Sequence, residues 1–491
     1  MNRTRMAEWN RRAVLAGLGA SLPGGAMALE RAGRPMLRRD GLRERTSVDV
    51  VQEGPLAAVT GFALRDLSDG RMLAAHQPLL SLPPASVAKA VTSLYALEAL
   101  GSNYRFRTQV LATGAVSGGR LEGDLYLIGD GDPTLDTDGL AALAAQLKDR
   151  GIRSVAGRAF VVDSALPYQR SIDPTQPEHV GYNPAISGLN LNFNRVHFQW
   201  SRAGQGYAVQ MTARGRRYDP AVASIEMAVA RRNAPVFIYR GDGGRDTWSV
   251  ASGALGREGS RWLPVRRPGD YAGEVFRELA HGFGIVLPAF RVAESVPAGT
   301  VLAEVESGDS SRLLRDMLKY STNLTAEVIG LRTSQARGMA PKSVAASGAA
   351  MTGWLRERFG VHRADFLNHS GLTDRTRMTA AEMVQVLDIA AAGPLPGLLK
   401  ETAVSVAPGS RERLPGVRVF AKTGTLNFTR GLAGYLEGSN GRRLAFAIFT
   451  ADLAARAGAV EGEVPRGAKS WRNRALRQEM DLLRTWAQTY L

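Results

Sequence analysis

The sequence predicts an α+β protein in which one domain is written in two pieces around a mostly β insertion. Three observations carry that expectation. A strand-turn-strand pattern leads directly into an apolar helical run over residues 90–100. Ser86, at the start of that helix, and Ser321, set between two helical patterns, stand 235 positions apart, far more than one helix and one loop need. Between them strand-like segments dominate, and helical periodicity resumes after residue 310.

The leader comes first. Arg3, Arg5, Arg11 and Arg12 precede a short apolar run, 13–22, and Ala26-Met27-Ala28 reads as a cleavage site, so residues 1–28 are expected to be an export signal. The run is too short to span a bilayer. Asn10-Arg11-Arg12-Ala13-Val14-Leu15 resembles a twin-arginine signal, with Sec export as the alternative. No later segment reads as transmembrane. A mature chain outside the cytoplasm, in the periplasm or cell envelope and with at most peripheral membrane contact, is expected.

Residues 29–51 are arginine-rich and weakly patterned, an arm or helix over the catalytic domain. Residues 57–64 and 71–75 alternate like strands around Ser68-Asp69-Gly70, and Pro83-Pro84 stops them. The helix that follows ends at Gly101. The insertion, residues 102–299, opens with strands over 106–111 and 121–128, a helix over 140–147 and a strand over 159–162. From 163 to 299 it reads as short strands and loops rich in glycine and arginine, with room for two subdomains and no catalytic constellation. Asp130 and Asp132 resemble a cation loop, but no glutamate follows at EF-hand spacing, so the stretch reads as a turn. The catalytic domain, 29–101 and 300–491, resumes with helices over 312–319, 325–331, 341–359 and 379–391. A strand over 417–421 and a hairpin, 432–436 with 443–449 through Ser439-Asn440-Gly441, come next. The end, 471–491, is an amphipathic helix with Leu476, Met480, Leu483 and Trp486 near one stripe, expected to cover the sheet.

The chemistry concentrates at three places. Ser86 and Lys89 are three residues apart, one helical turn, so the amine reaches the hydroxyl. A serine is a poor nucleophile until its proton is taken, and a lysine takes it only when burial or another cation lowers its pKa. Ser321-Thr322-Asn323 follows one helical pattern and precedes another. Lys422-Thr423-Gly424, followed by Thr425, closes a strand. Only seven of the 62 basic residues are lysines, and two of them, Lys89 and Lys422, fall inside these motifs. Arginine cannot give up its proton in a protein, whereas a desolvated lysine can. With no cysteine, thiol nucleophiles, disulfides and cysteine–zinc clusters are excluded. The net charge of +16 favours polyanions, but no basic motif interleaved with aromatics is present, so nucleic acid is not expected as a partner.

The order S-x-x-K, S-x-N, K-T-G resembles the serine acyl-transferases of the penicillin-binding and β-lactamase type. The chain is similar, more closely, to the low-molecular-mass penicillin-binding proteins that act as D-alanyl-D-alanine carboxypeptidases and endopeptidases, the branch with a large insertion after the first motif. Pro84 to Lys89, Phe106-Arg107-Thr108, Gly123-Asp124-Leu125-Tyr126-Leu127, Gly131-Asp132-Pro133-Thr134-Leu135, Ala326-Glu327 and Ser370-Gly371-Leu372 follow that pattern in order, between about residues 61 and 450.

The resemblance implies a transpeptidase-like fold, an antiparallel sheet flanked by helices beside an all-helical subdomain. It implies Ser86 as nucleophile, Lys89 as base and Ser321 as proton relay. Asn323 would bind the peptide stem, and Lys422, Thr423, Gly424 and Thr425 the substrate's carboxylate end. Lys422 would also hold Lys89 neutral by repulsion, and the N–H groups of Ser86 and Thr425 would form an oxyanion hole. The implied partners are peptidoglycan peptides ending in D-Ala-D-Ala and, as covalent inhibitors, β-lactams; no metal or organic cofactor is implied. Two departures stand out: Thr322 where aspartate is frequent, and Asn368-His369 where aspartate and glycine commonly precede Ser-Gly-Leu.

The alternatives are a β-lactamase of the same fold, disfavoured by the insertion and the absence of a glutamate base loop, and a non-catalytic wall-binding relative. A Ser-His-Asp hydrolase is opposed by the lack of a G-x-S-x-G elbow.

Overall fold

The computed structural model describes residues 46–56, 58–241, 243–459 and 463–491. The expected export signal, 1–28, and most of the 29–51 arm lie outside them. The last turn of that arm is described: a helix, Ser47–Gln52, closed by a reciprocal capping box between Thr46 and Asp49. Its Ser47 hydroxyl accepts from the Trp486 indole at 2.8 Å.

Six strands form the central sheet, in the order Lys400–Thr402, Val417–Leu426, Thr429–Gly438, Arg443–Ala451, Val59–Asp66, Met72–His76. Every neighbour is antiparallel. Strands from both ends of the chain therefore share one sheet, with Val59–Asp66 lying against Arg443–Ala451. Alternation sorts their side chains onto two faces. Ala63, Ala445, Ala447 and Phe449 join the core made with helices Ala88–Ala99, Ser310–Tyr320, Asn323–Ala336, Val344–Phe359 and Ala380–Ala390. Phe62, Leu64, Leu444, Phe446 and Ile448 face the C-terminal helix, Ala468–Tyr490.

That helix covers the sheet as expected, with Leu483 and Trp486 buried and Met480 packed against the core, but its buried stripe extends beyond these and leaves out Leu476. Ala468, Trp471, Ala475, Gln478, Glu479, Leu482, Leu483, Trp486 and Ala487 are its buried positions, while Leu476 is exposed. The apolar pattern misled because two buried positions are polar and partnered. Gln478 donates to the Thr60 hydroxyl at 2.9 Å, and Glu479 pairs with Arg430.

Among the described residues the inserted segment carries a five-stranded mixed sheet, ordered Phe290–Val292, Ala159–Val162, Leu125–Gly129, Arg107–Ala112, Thr300–Glu306, and three small three-stranded sheets. Thr300–Glu306 pairs with Arg107–Ala112, so this strand belongs to the insertion's sheet rather than beyond a boundary at 299. The turn Pro297-Ala298-Gly299 suggested a boundary, but it only leads into this strand; the break comes at Ser307-Gly308, before the Asp309 cap of the next helix.

A 15-residue helix, Pro268–Gly282, also stands where loops were expected. Gly269 and Gly273 read as punctuation but serve close approach. A Cβ on Gly273 would lie 2.8 Å from Phe290 Cβ and 2.9 Å from Val161 Cγ2. Among the described residues no helix is long and apolar enough to cross a membrane.

Candidate active site

Ser86 sits in a single 3-10 turn, Ala85–Val87, that opens into the helix Ala88–Ala99. The residue before it, Ala85, has φ +48, a left-handed conformation costly for a side-chain-bearing residue. It is held there by its surroundings. A Cβ on Gly371 would come within 1.9 Å of the Ala85 carbonyl oxygen, so the Ser370-Gly371-Leu372 turn presses on this backbone and tolerates only glycine. Ser321, the left-handed C-cap of helix Ser310–Tyr320, has φ +59.

Lys89 is fully buried. Its Nζ lies 3.0 Å from Ser86 Oγ, 2.8 Å from Asn323 Oδ1 and 2.8 Å from the Ser370 carbonyl. Burial holds its pKa well below the usual lysine range, with the nearby Lys422 charge as a further lowering cause and Glu327 opposing. Repulsion from Lys422 is thus the smaller of the two lowering effects, not the controlling one. Lys422 donates to Ser321 Oγ at 3.0 Å and to the Thr423 carbonyl at 2.6 Å. Its own pKa is lowered to about 7 by burial, then by Arg430 and Lys400.

The strand Val417–Leu426 brings the third motif alongside Ser86. A Cβ on Gly424 would meet Pro84 O at 2.6 Å and Ser86 N at 2.9 Å, so glycine lets the two backbones touch. Alternation leaves Lys422 and Gly424 buried and turns Thr423 and Thr425 to solvent. On the outer side, strand pairing stops at Ala421, and among the described residues 422–426 have no strand there. Of the eight residues singled out from the sequence, hydrogen bonds join Ser86, Lys89 and Asn323 and, separately, Ser321 and Lys422; Gly424 abuts the Ser86 backbone, and Thr423 and Thr425 stand exposed on the same strand.

Asn323 stands differently from expectation: its Oδ1 is committed to Lys89, and its Nδ2 donates to the Tyr182 carbonyl at 3.0 Å. The insertion, which showed no catalytic constellation as a sequence, therefore reaches the site through a backbone atom that leaves no side-chain signature. Glu327 was also missed as a site residue, although Ala326-Glu327 stood in the pattern. Fully buried, it accepts from His369 N and Ser370 N at 2.9 Å each, and so fixes the loop whose carbonyl faces Lys89. Burial pushes its pKa up.

The His369 departure is accommodated by packing. Its ring stacks on Tyr95, and its Nε2 lies 2.8 Å from Ser347 Oγ. Burial lowers its pKa to about 3. A Cβ on Gly330 would overlap the ring at 2.1 Å.

A serine beside a buried amine, a second serine under a second lysine, and an open strand edge between them define a serine acyl-transferase of the penicillin-binding type. The chain belongs to the D-Ala-D-Ala carboxypeptidase 3 (S13) family, whose model it matches over residues 45–464, and it is a serine D,D-carboxypeptidase hydrolase. It is 29% identical over 442 residues to the D-alanyl-D-alanine carboxypeptidase of Actinomadura sp., covering 82% of this chain and 80% of that one. It is 24% identical over 433 residues to the D-alanyl-D-alanine carboxypeptidase DacB of Haemophilus influenzae, covering 82% and 87%. The crystal structure of penicillin-binding protein 4 from Haemophilus influenzae superposes with a TM-score of 0.71 at 20% identity, over 89% of this chain and 99% of that one, which establishes the shared fold.

Proposed function

We propose that this carboxypeptidase cleaves the bond between the last two residues of peptidoglycan stem peptides ending in D-Ala-D-Ala, with Ser86 as nucleophile and Lys89 as its base. The observation that carries this reading is the set of three partners around Lys89 Nζ. A neutral amine has two N–H donors and one lone pair. Asn323 Oδ1 and the Ser370 carbonyl only accept, so they take the two N–H groups. The lone pair is left for the Ser86 hydroxyl, 3.0 Å away.

Ser86 Oγ attacks the penultimate carbonyl as its proton passes to Lys89. The developing oxyanion is met by the N–H groups of Ser86 and Thr425, donors of a kind worth about 3 kcal/mol each. Collapse of the intermediate breaks the peptide bond. The leaving amine takes a proton through Ser321, with Lys422 behind it, and free D-alanine departs from an acyl ester on Ser86. Water then hydrolyses the ester, releasing the shortened peptide and restoring the hydroxyl. Lys422, Thr423 and Thr425 hold the terminal carboxylate, Gly424 brings their strand against Ser86, and the open edge at 422–426 pairs with the extended peptide. The same chemistry applied to a cross-link is the endopeptidase reaction.

β-Lactams acylate Ser86 in the same way and leave slowly. The buried carboxylate of the site, Glu327, spends both oxygens on backbone N–H groups rather than on a hydrolytic water, which disfavours the β-lactamase alternative. The leader-like first 28 residues and a wall substrate together support a mature chain outside the cytoplasm. Incubation of wild type and Ser86→Ala with a fluorescent penicillin, followed by denaturing electrophoresis, tests the assignment. A labelled band for wild type alone is expected; an unlabelled wild type or a labelled variant overturns it.

A further inference from the structure

The side-chain amide of Asn323 presents an acceptor on one side and donors on the other. Turned over, it would aim Nδ2 at the Lys89 amine and Oδ1 at the Tyr182 carbonyl, donor toward donor and acceptor toward acceptor. With the Tyr182 carbonyl in place, one orientation satisfies both neighbours. That orientation is the one that gives Lys89 its acceptor.

The position of Tyr182 is set from behind. Arg266, 2% exposed, donates from Nη1 to the carbonyls of Arg170 and Asn183 at 2.8 Å each, and from Nη2 to the carbonyl of Glu178 at 2.7 Å. The Asn183 side chain ties the same loop across, accepting from Asp173 N at 2.9 Å and donating to Asp173 O at 2.8 Å. A buried guanidinium is costly, and the carboxylate paired with it, Glu178 with Oε2 3.3 Å from Nη2, is itself exposed. Gathering three carbonyls of one loop is more than a connection between strands requires, and Tyr182 of that loop meets Asn323.

We propose that Arg266 is a positioning residue for the reaction. By holding residues 170–183 it keeps the Tyr182 carbonyl on Asn323, Asn323 Oδ1 on Lys89, and the Lys89 lone pair on Ser86. The insertion is then part of the catalytic apparatus. The inference rests on the proposed role of Lys89 as base.

The test is the acylation rate of Ser86 by a fluorescent penicillin, measured for Arg266→Met, Arg266→Lys and Asn183→Ala, each in wild type and in an Asn323→Ala background. Arg266→Met is expected to slow acylation roughly 10- to 100-fold, the scale of a remote change that displaces a reacting group, with partial recovery in Arg266→Lys. In the Asn323→Ala background the same substitution should cost less than about twofold, because residues that act through one another are not additive. Equal losses in both backgrounds, or a folded Arg266→Met enzyme that acylates at the wild-type rate, overturn the proposal. If circular dichroism shows Arg266→Met unfolded, Asn183→Ala decides by the same two criteria. Failure of the underlying reading is distinct: wild type would then be unlabelled, or labelled elsewhere than at Ser86.

Discussion

Two of the buried basic groups near the catalytic strand, Lys89 and Arg430, are accommodated in opposite ways. Lys89, under the cleft, is surrounded by uncharged acceptors: a hydroxyl, an amide oxygen and a backbone carbonyl. Arg430, paired across the sheet with Thr425, holds Glu479 of the C-terminal helix through Nε at 3.1 Å and Nη2 at 2.5 Å, while its Nη1 donates to Thr425 Oγ1 at 2.8 Å. Burying a charge without a counter-ion drives the group neutral, whereas burying it against a carboxylate preserves it. The difference teaches how one fold makes a base on a helix, Lys89, and a fixed charge on a strand of the central sheet, Arg430. Lysine serves the first purpose because it can lose its proton, and arginine the second because it cannot.

The sharpest way to break the contrast is to exchange the chemistry at position 89. Lys89→Arg keeps a cation that cannot deprotonate, and acylation by penicillin should fall by roughly 10²–10⁴-fold, the usual contribution of a general base. Comparable rates for Lys89→Arg and wild type would remove the distinction between the two sites. On the other side, Glu479→Gln strands a buried guanidinium and should cost about 3–5 kcal/mol of stability by urea unfolding. A loss below about 1 kcal/mol would mean that the pair with Glu479 does not offset the burial of Arg430.

A third outcome concerns pH. The Lys422 pKa is about 7 in the folded chain against an ordinary lysine value of 10.5, so between those limits the unfolded chain binds the extra proton. The contribution of Lys422 to stability therefore rises with pH across that window, and is least below it. The stability difference between wild type and Lys422→Met should move in favour of wild type as pH rises from about 7, as followed by urea unfolding at each pH. A flat difference would contradict the shift. The smallest effect is expected from Lys400→Gln. Removing this exposed cation relieves part of the repulsion on Lys422, so the alkaline limb of kcat/KM should move to higher pH with little change at the optimum.

The sequence made the reactive residues legible because they are scarce types at fixed spacing: two lysines in an arginine-dominated chain, each within a short motif. The strands and helices that carry them were legible for the same reason that they form, alternation and helical periodicity ending at Pro83-Pro84 and Gly101. What escaped was relational. Glu479 is an acidic residue on a helix until Arg430, 49 positions away, is placed over it. Tyr182 acts through its carbonyl, which every residue possesses. The helix Pro268–Gly282 hid behind glycines whose purpose, contact with Phe290 and Val161, exists only after folding. Glu327 was visible as part of a pattern, but its job, holding the 369–370 backbone, depends on a loop more than forty positions onward.

The most direct test is to titrate Lys89 itself. With only seven lysines in the chain, selective ¹³Cε labelling and comparison with Lys89→Met assign its NMR signal, and the shift can be followed with pH in the resting enzyme. A transition well below the ordinary lysine range, with the amine neutral where the enzyme acylates, is the predicted result. A Lys89 signal that stays charged until the pH at which the exposed lysines titrate would contradict it.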